Sequence, residues 1–256
     1  ASRVLAIAAH PDDIEFMMAG TLLRLRDAGF KIYTMNVANG CAGSLQYGPE
    51  ETAAIRAREA QAAARLLGAE WIAPIGADLE IYYEPSLLRK LAAIVRRVAP
   101  SIILTHSPDD YMEDHTNTAR LAVTAAFTRV IPNFVTTPPE AATTQDVTLY
   151  HALPHGLQDG MRRRPRPDWI VDTTPYIDEQ KRALACHQSQ RDWLDQTQGM
   201  GSYLDTLIHT AKEVGALSGR YPFGEGWRRH AHVGFSQTEI DPLVEVLHGH
   251  ITAPRA

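Results

Sequence analysis

The sequence predicts an α/β fold, a doubly wound and mostly parallel sheet with helices on both faces in a Rossmann-like arrangement. The 256-residue chain is 45% hydrophobic, which is enough for a large core. Its first strand, "VLAIAA", is apolar throughout, as is typical of strands covered on both faces. Strand-like and helix-like segments then alternate as far as Val130, which favours parallel strands joined by crossover helices.

The elements of this first half follow from their spacing and end signals. After the first strand, apolar periodicity predicts a helix from Ile14 to Ala28, with Gly29 as its C-terminal cap. "KIYTMNVAN" predicts the second strand, and the loop "GCAGSLQYGPEE" leads into a helix over 51–67. "EWIAPIG" and "SIILTH" predict two further strands, separated by the helix "PSLLRKLAAIVRRVAP". A helix over 116–130 follows the loop after the fourth strand.

The second half has a looser pattern. We expect one domain over 1–256, with an α/β core at 1–132 and an extension at 133–256 that completes the pocket. "VTLYHALPH" predicts a strand, and helices are expected over 177–198 and 202–215. The basic, proline-broken segment "GMRRRPRPDW" is expected to be a solvated loop.

Composition excludes several classes of partner. The net charge of −5 gives no overall positive field for nucleic acid. No segment approaches the roughly 20 apolar residues that a membrane helix needs, and the apolar run 4–9 is short for a signal peptide. Cys41 and Cys186 form no disulfide framework, which favours a reducing compartment. We therefore expect a cytoplasmic protein that acts on a small molecule.

Two clusters of polar residues follow strands. His10, Asp12 and Asp13 come directly after the first strand, and Asp114 and His115 follow the fourth. In α/β sheets, ligands bind at the carboxyl ends of the strands, where these loops can converge. Two imidazoles and one carboxylate with an open position form a catalytic zinc site. The pattern predicts His10 and Asp13 on the metal and Asp12 as a general base acting on its water.

Other interpretations of these residues stay open. A single His-Pro-Asp-Asp segment also suits a turn, and an aspartate in the first turn of a helix complements the helix dipole. The same ligand types suit Fe²⁺, Co²⁺ or Mn²⁺ as well as Zn²⁺. A nucleotide-binding role is disfavoured, because neither G-x-G-x-x-G nor G-x-x-x-x-G-K-[ST] occurs.

Six motifs resemble, in sequence and in order, the LmbE-like (PIG-L) family of zinc-dependent N-deacetylases. The resemblance implies that His10, Asp13 and His115 are zinc ligands and that Asp12 is the base. It also implies removal of an acetyl group from an N-acetylglucosamine unit in a thiol precursor, glycolipid or natural product, by a homo-oligomer, a trimer or hexamer. The motifs are "AHPDDIEFMMAGT", "GCAGS", "RAREAQAAARLLGA", "DDYMEDHTNTARL", "CHQSQ" and "EGWRRH".

The chain departs from the family pattern at two positions. At the first, Met112 stands where relatives commonly place a histidine that assists the tetrahedral intermediate. At the second, many members have a glutamate directly after the aspartate pair, whereas here Ile14 precedes Glu15, as in some bacillithiol-pathway-like deacetylases. His155, His187 and His230 are candidates for the missing acid, because imidazole titrates in the useful range. We rank His155 first, since it follows a predicted strand, beside a glycine, in the segment that must fold over the strand ends.

Arg56 and Asp114 each allow two interpretations. By resemblance, the Arg56 guanidinium holds a substrate hydroxyl or phosphate; otherwise it lies on a solvated helix face. Asp114 either orients His115 from outside the ligand set or caps a helix, and we favour the first. Three aromatic residues are expected to be core or subunit contacts: Trp193, Tyr203 and Trp227.

The leading functional hypothesis is hydrolysis of an N-acetyl group by metal-activated water. One alternative is an amidase that releases a larger acyl group from a thiol or natural-product conjugate. A second is a non-catalytic metal-holding binding protein, with Met112 marking lost catalysis. Asp12 argues against the second, because simple binding needs no carboxylate beside the ligand set.

Overall fold

The chain forms one eight-stranded sheet covered by helices. The computed structural model describes residues 2–198 and 203–255. The strands are β1 (Arg3–Ala8), β2 (Lys31–Asn36), β3 (Ala69–Ile72), β4 (Ile102–Thr105), β5 (Thr148–Ala152), β6 (Trp169–Asp172), β7 (Gly224–Arg229) and β8 (Ile251–Thr252). Their order in the sheet is β3-β2-β1-β4-β5-β7-β6-β8. The predicted α/β class is confirmed.

Helices connect and cover these strands. They are α1 (Asp13–Met17), α2 (Ala19–Asp27), α3 (Pro49–Leu67), α4 (Pro85–Val98), α5 (Glu113–Phe127), α6 (Ile177–Leu184), α7 (Gln188–Gln198), α8 (Tyr203–Ser218) and α9 (Pro242–Val246). Within residues 2–198 and 203–255, no helix combines the length and the apolar character needed to cross a bilayer.

Strands β1 to β5 pair in parallel, with β1 at their centre. β1 pairs with β2 and with β4, and Ile7 lies opposite Thr105 of β4. Alternate β1 residues enter two cores: Ala6 packs with α1, α2 and α6, whereas Ile7 packs with α4 and α5. Both strands therefore end at the same edge, so the residues after them emerge side by side.

The remaining strands run antiparallel and extend the sheet beyond β5. β7 pairs antiparallel with β5 and with β6, and β8 pairs with β6. Sequence patterning missed β6 and β8, which have four and two residues, and β7, which reads "GEGWRR" without an apolar run. Within β7, a Cβ at Gly226 would lie 2.7 Å from Leu153 Cδ1, so a larger residue there would displace the Leu153 side chain.

Several predicted boundaries differ from the structure. The helix expected over 14–28 is two helices, because the backbone leaves helical geometry at Met18, with φ −135°. The helix expected over 177–198 likewise breaks after Leu184. Helix α5 begins three residues before the predicted start at 116, which places Asp114 and His115 in its first turn. The predicted start at 202 lies outside the described residues, and α8 is described from Tyr203.

Trp227 joins the antiparallel extension to the parallel core. Its indole is fully buried, and its Nε1–H donates to Thr21 Oγ1 of α2 at 2.9 Å. We predict that Trp227→Phe lowers the free energy of unfolding by about 1–3 kcal/mol, because the buried Thr21 hydroxyl loses the indole N–H donor. Urea denaturation measures this. Thr21→Val should add little in the Trp227→Phe background; an additive effect would show that the two side chains act independently.

Candidate metal centre

Three ligand-type side chains meet where β1 and β4 end. Atoms of His10, Asp13 and His115 all lie within 4.8 Å of one another, and all three residues are buried. Nδ1 of His10 lies 3.5 Å from Asp13 Oδ2, and Nε2 of His115 lies 3.5 Å from Asp13 Oδ1. Two imidazole nitrogens and one carboxylate match the protein ligands of a catalytic zinc ion. This cluster could hold a metal ion.

The electrostatics of the cluster favour a cation. Burial alone would lower the pKa of His10, but hydrogen bonds to Asp114 and Asp13 outweigh it and raise the pKa to about 9. For His115, Asp13 and Asp110 likewise overcome burial and raise the pKa to about 10. The surrounding carboxylates thus stabilise positive charge on the imidazoles, and a divalent ion would be stabilised by the same field.

A carboxylate contacts the outer nitrogen of each imidazole. Asp114 Oδ2 lies 2.9 Å from Nε2 of His10 and also accepts the backbone N–H of Leu79 at 2.8 Å. Asp110 Oδ1 lies 3.0 Å from Nδ1 of His115. The expectation that Asp114 orients His115 is therefore corrected: Asp114 contacts His10, and Asp110 contacts His115. Such contacts fix the ring orientation and leave the inner nitrogen toward Asp13.

His106, which the sequence analysis did not single out, completes the floor of the cluster. Its Nε2 accepts the backbone N–H of Ala9 at 2.9 Å and lies 3.3 Å from Asp13 Oδ2. Its ring stacks on His115, with centroids 4.1 Å apart and planes 10° apart. Burial lowers the pKa of His106, and the stacked ring supports His115. The sequence could have indicated His106 as a site residue by its position directly after the fourth strand.

Asp12 lies beside the cluster in an unusual backbone conformation. Its φ of +117° is rare for a residue with a Cβ, and such strain is typical of functional sites. Tyr203 donates its hydroxyl to Asp12 Oδ2 at 2.7 Å, and Arg56 Nη2 lies 3.8 Å from the same oxygen. Burial raises the pKa of Asp12 to about 6, against the opposing effect of Arg56. Tyr203, expected from the sequence to be a core or subunit contact, therefore contacts the candidate base.

Arg56 is buried, which contradicts the solvated-face interpretation. It is 3% exposed, and its guanidinium donates to the backbone carbonyls of Pro11 and Gly40. The glycine-rich loop makes room for it, since a Cβ at Gly40 would lie 2.5 Å from Arg56 Cδ. Its Nη1 also lies 3.9 Å from Asp78. The residue therefore braces the turn that carries Asp12 and lines the cavity above it.

The three candidate histidines lie in three different places. His155 lines the cavity that contains the cluster, and its ring meets Phe16 edge-on with centroids 5.0 Å apart. His187 is fully buried behind the cavity, 3.3 Å from Glu15. His230 lines a separate cavity. Of the three, only His155 reaches the cavity of the cluster.

The cavity above the cluster measures about 640 Å³. Its polar floor includes His10, Asp12, Asp13 and Arg56, and Met112 stands in its wall. The volume falls in the range of small-molecule sites. Much of the wall is apolar: Phe16, Leu79, Tyr111, Met112, Trp193 and Leu194.

Comparison with known proteins agrees with this architecture. The family model described as PIG-L, GlcNAc-PI de-N-acetylase, matches residues 5–126. A diacetylchitobiose deacetylase of Thermococcus kodakarensis is 26% identical over 197 residues, 73% of this chain and 70% of that protein. A 4-oxalmesaconate hydratase of Pseudomonas putida is 29% identical over 195 residues, 73% of each protein.

A solved structure shares the fold along nearly the whole chain. An N,N′-diacetylchitobiose deacetylase from Pyrococcus horikoshii, in complex with an inhibitor, aligns with a TM-score of 0.75 at 25% identity. The alignment covers 95% of this chain and 89% of that chain. The similarity therefore includes the antiparallel extension as well as the segment that the family model matches.

We predict that replacing His10, Asp13 or His115 with Ala abolishes stoichiometric metal binding, because an open site with three protein ligands cannot spare one. Mass spectrometry of the purified variants measures the metal content. His155→Ala is the matched control, since this histidine lines the same cavity without belonging to the cluster. Full occupancy in one of the three variants would remove that residue from the ligand set.

Proposed function

Because this chain carries a PIG-L domain over residues 5–126, we propose that it is a zinc-dependent hydrolase that removes the acetyl group from an N-acetylated sugar or glycoconjugate. The observation that carries the proposal is the position of Asp12. This buried, strained carboxylate lies beside the His₂Asp cluster but is not one of its members. A site that only stored metal would have no need of such a group.

In the proposed reaction, His10, Asp13 and His115 hold the metal. A divalent ion there would lower the pKa of its water to about 7 and polarise the amide carbonyl. Asp12 accepts the proton as the water oxygen attacks the carbonyl carbon. Its raised pKa suits this role, and Tyr203 fixes the carboxylate through Oδ2. The C–N bond then breaks, giving acetate and an amine that takes a proton from His155, and Asp12 releases its proton to solvent, from which His155 is protonated again.

The proton needed by the leaving amine is assigned to His155. This residue lines the cavity, and burial lowers its pKa, against the opposing charges of Asp13 and Asp110. Met112 occupies the cavity wall but has no proton to give. His155, in the second half of the chain, thus supplies the proton that Met112 cannot donate.

The charges of the cavity support a neutral amide substrate. Three aspartates line it, Asp12, Asp13 and Asp78, and Arg56 already contacts Asp12, Asp78 and two backbone carbonyls. The hydratase relative is named for a carboxylate substrate, which would need cations beyond the metal. Hydration of such an acid is therefore the weaker candidate, although that relative has the higher sequence identity.

The apolar wall leaves a second candidate open. Trp193 and Leu194 of α7, together with Tyr111, offer contacts to the carbon skeleton of a large acyl group or a natural-product aglycone. An amidase that releases a longer acid would use the same polar residues at the floor of the cavity. A metal-holding binding protein would need neither Asp12 nor the Tyr203 contact that fixes it.

One experiment tests the reaction and separates these candidates. The zinc-loaded protein is incubated with N-acetylglucosamine, N,N′-diacetylchitobiose and their N-octanoyl analogues, and the released acid is identified. We expect acetate from at least one sugar and slower release of octanoate. Faster octanoate release would favour the amidase. Release of neither acid, with loss of an oxalmesaconate double bond on incubation, would favour the hydratase.

Asp12→Asn provides a sharper test of the base. We predict that it keeps the zinc and the fold while kcat falls by roughly 10²-fold or more, because the proton acceptor is lost. Tyr203→Phe should cause a smaller loss, since the carboxylate remains but is no longer held. Near-normal turnover in Asp12→Asn would assign the base to another group.

The role of His155 is tested separately. We predict that His155→Ala retains zinc and lowers kcat by about 10²-fold, the usual scale for a positioned acid. His248→Ala is the matched control, because His248 is exposed on the far segment of the chain and lies outside the cavity. Unchanged kcat in His155→Ala would leave the amine to take its proton from solvent.

A further inference from the structure

A second cavity of about 580 Å³ lies behind the loop that follows β4. It is formed by the second turn of α5 and by the ends of β5 and β7. Ala119 in its wall stands one helical turn after His115, so α5 borders both cavities. Its polar lining is dominated by basic side chains: Arg120, His151, Arg228, Arg229 and His230.

Two of these arginines have no ionic partner among residues 2–198 and 203–255. Within the described residues, no carboxylate oxygen lies within 4.0 Å of the Arg120 or Arg228 guanidinium. Arg229, by contrast, lies 3.0 Å from Glu239 and 3.7 Å from Asp241. The one acidic residue of the lining, Asp168, accepts the backbone N–H of Arg229 at 2.8 Å. The cavity is therefore positive in a chain whose net charge is −5.

Arg228 is held in place by a hydrogen bond from Nη2, while its Nε–H donor is unused. Its Nη2 donates to Ser107 Oγ at 2.6 Å, and that hydroxyl donates in turn to the Asp109 carbonyl at 2.7 Å. Its Nε is buried and has no hydrogen-bond partner. Burial lowers the pKa of Arg228, against the charges of Asp109 and Asp168. A half-buried cation with an unused N–H is costly unless an acceptor joins it.

The histidine pair adds a further polar group. His151 Nδ1 lies 2.7 Å from the His106 carbonyl, which can only accept, so this nitrogen carries the proton. Its Nε2 therefore accepts from Nδ1 of His230 at 3.0 Å. This order of tautomers leaves Nε2 of His230 as an acceptor, which suits a hydroxyl group of the ligand and not its anionic group. Arg120, on the opposite wall, stacks over the Tyr83 ring at 5.0 Å.

We propose that this second cavity binds a small organic anion through its phosphate or carboxylate group. Guanidinium groups bind both by paired N–H donors, and here two of them have no carboxylate partner. The volume suits a metabolite-sized ligand rather than a bare ion. The site is distinct from the metal centre but contacts the same loop, because Arg228 binds Ser107 and His151 binds His106.

Calorimetric titration of the metal-loaded, full-length protein at constant ionic strength tests the proposal, with inorganic phosphate and acetate as separate probes. We expect one or both to bind, and Arg120→Gln and Arg228→Gln each to weaken binding at least tenfold. Arg97→Gln, an exposed arginine on α4 outside both cavities, is the charge-matched control and should bind as the parent does. Tighter phosphate binding would indicate a phosphorylated ligand, and tighter acetate binding a carboxylic acid.

Arg228→Gln could disturb the loop through Ser107. Arg120 is exposed and stacks over the Tyr83 ring, away from that loop, so Arg120→Gln keeps the test decisive. Equal binding in the parent and Arg120→Gln would locate the anion elsewhere, the metal included, and would overturn the proposal. Binding of neither probe would also overturn it. Hydrogen exchange gives a second measurement: bound anion should increase amide protection across 106–112. None of these outcomes depends on the deacetylase activity.

Discussion

The ionised carboxylate of Asp13 is the group on which the candidate centre depends. Its Oδ2 accepts the backbone N–H of His10 at 2.7 Å and lies 3.3 Å from His106, and Oδ1 faces His115. Burial would raise the pKa of Asp13, but the imidazoles of His115 and His106 outweigh it and hold the pKa well below its usual range. A buried negative charge must be surrounded by donors. Asp13 thereby ties the ends of β1 and β4 to the start of α5.

The charged residues around Asp13 are also buried and must also be compensated by nearby groups. Asp12 is compensated by Arg56 and Tyr203. His187 lies behind it, and Glu15 outweighs the effect of burial and raises the pKa of that histidine. Each charge in this layer is stabilised by groups from distant parts of the chain, so the centre is preorganised by the fold as a whole. Preorganised polar groups in a site that excludes water act more strongly than the same groups in solvent.

The direction of the strands separates the two cavities. The parallel strands bring their carboxyl ends to one edge, where the metal donors collect. The antiparallel β7 pairs with β5 and places Arg228 opposite His151, on the other side of the loop after β4. That loop places His106 against Asp13 beneath one cavity and is bound through Ser107 at the other. Both cavities therefore lie against residues bound to the loop that follows β4.

The sequence by itself determined the parallel sheet and the placement of His10, Asp12, Asp13 and His115 at its carboxyl edge. Apolar runs that alternate with amphipathic helices leave few chain paths, and crossover connections fix which strand ends face together. What the tertiary structure decided was which side chains pair there. Patterning missed Tyr203, 191 residues from Asp12, and assigned Asp114 to its neighbour in sequence, not to His10.

The burial of Arg56 excluded its placement on a solvated helix face. Strands β6, β7 and β8 were recognisable only from their pairing with neighbouring strands. Hydrogen bonds between distant residues depend on how helices dock and on which rotamers their neighbours allow. Short strands rich in glycine and arginine depend on the strands beside them. Neither leaves a periodic signal in the chain, because the free energy that selects them comes from contacts that exist only after folding.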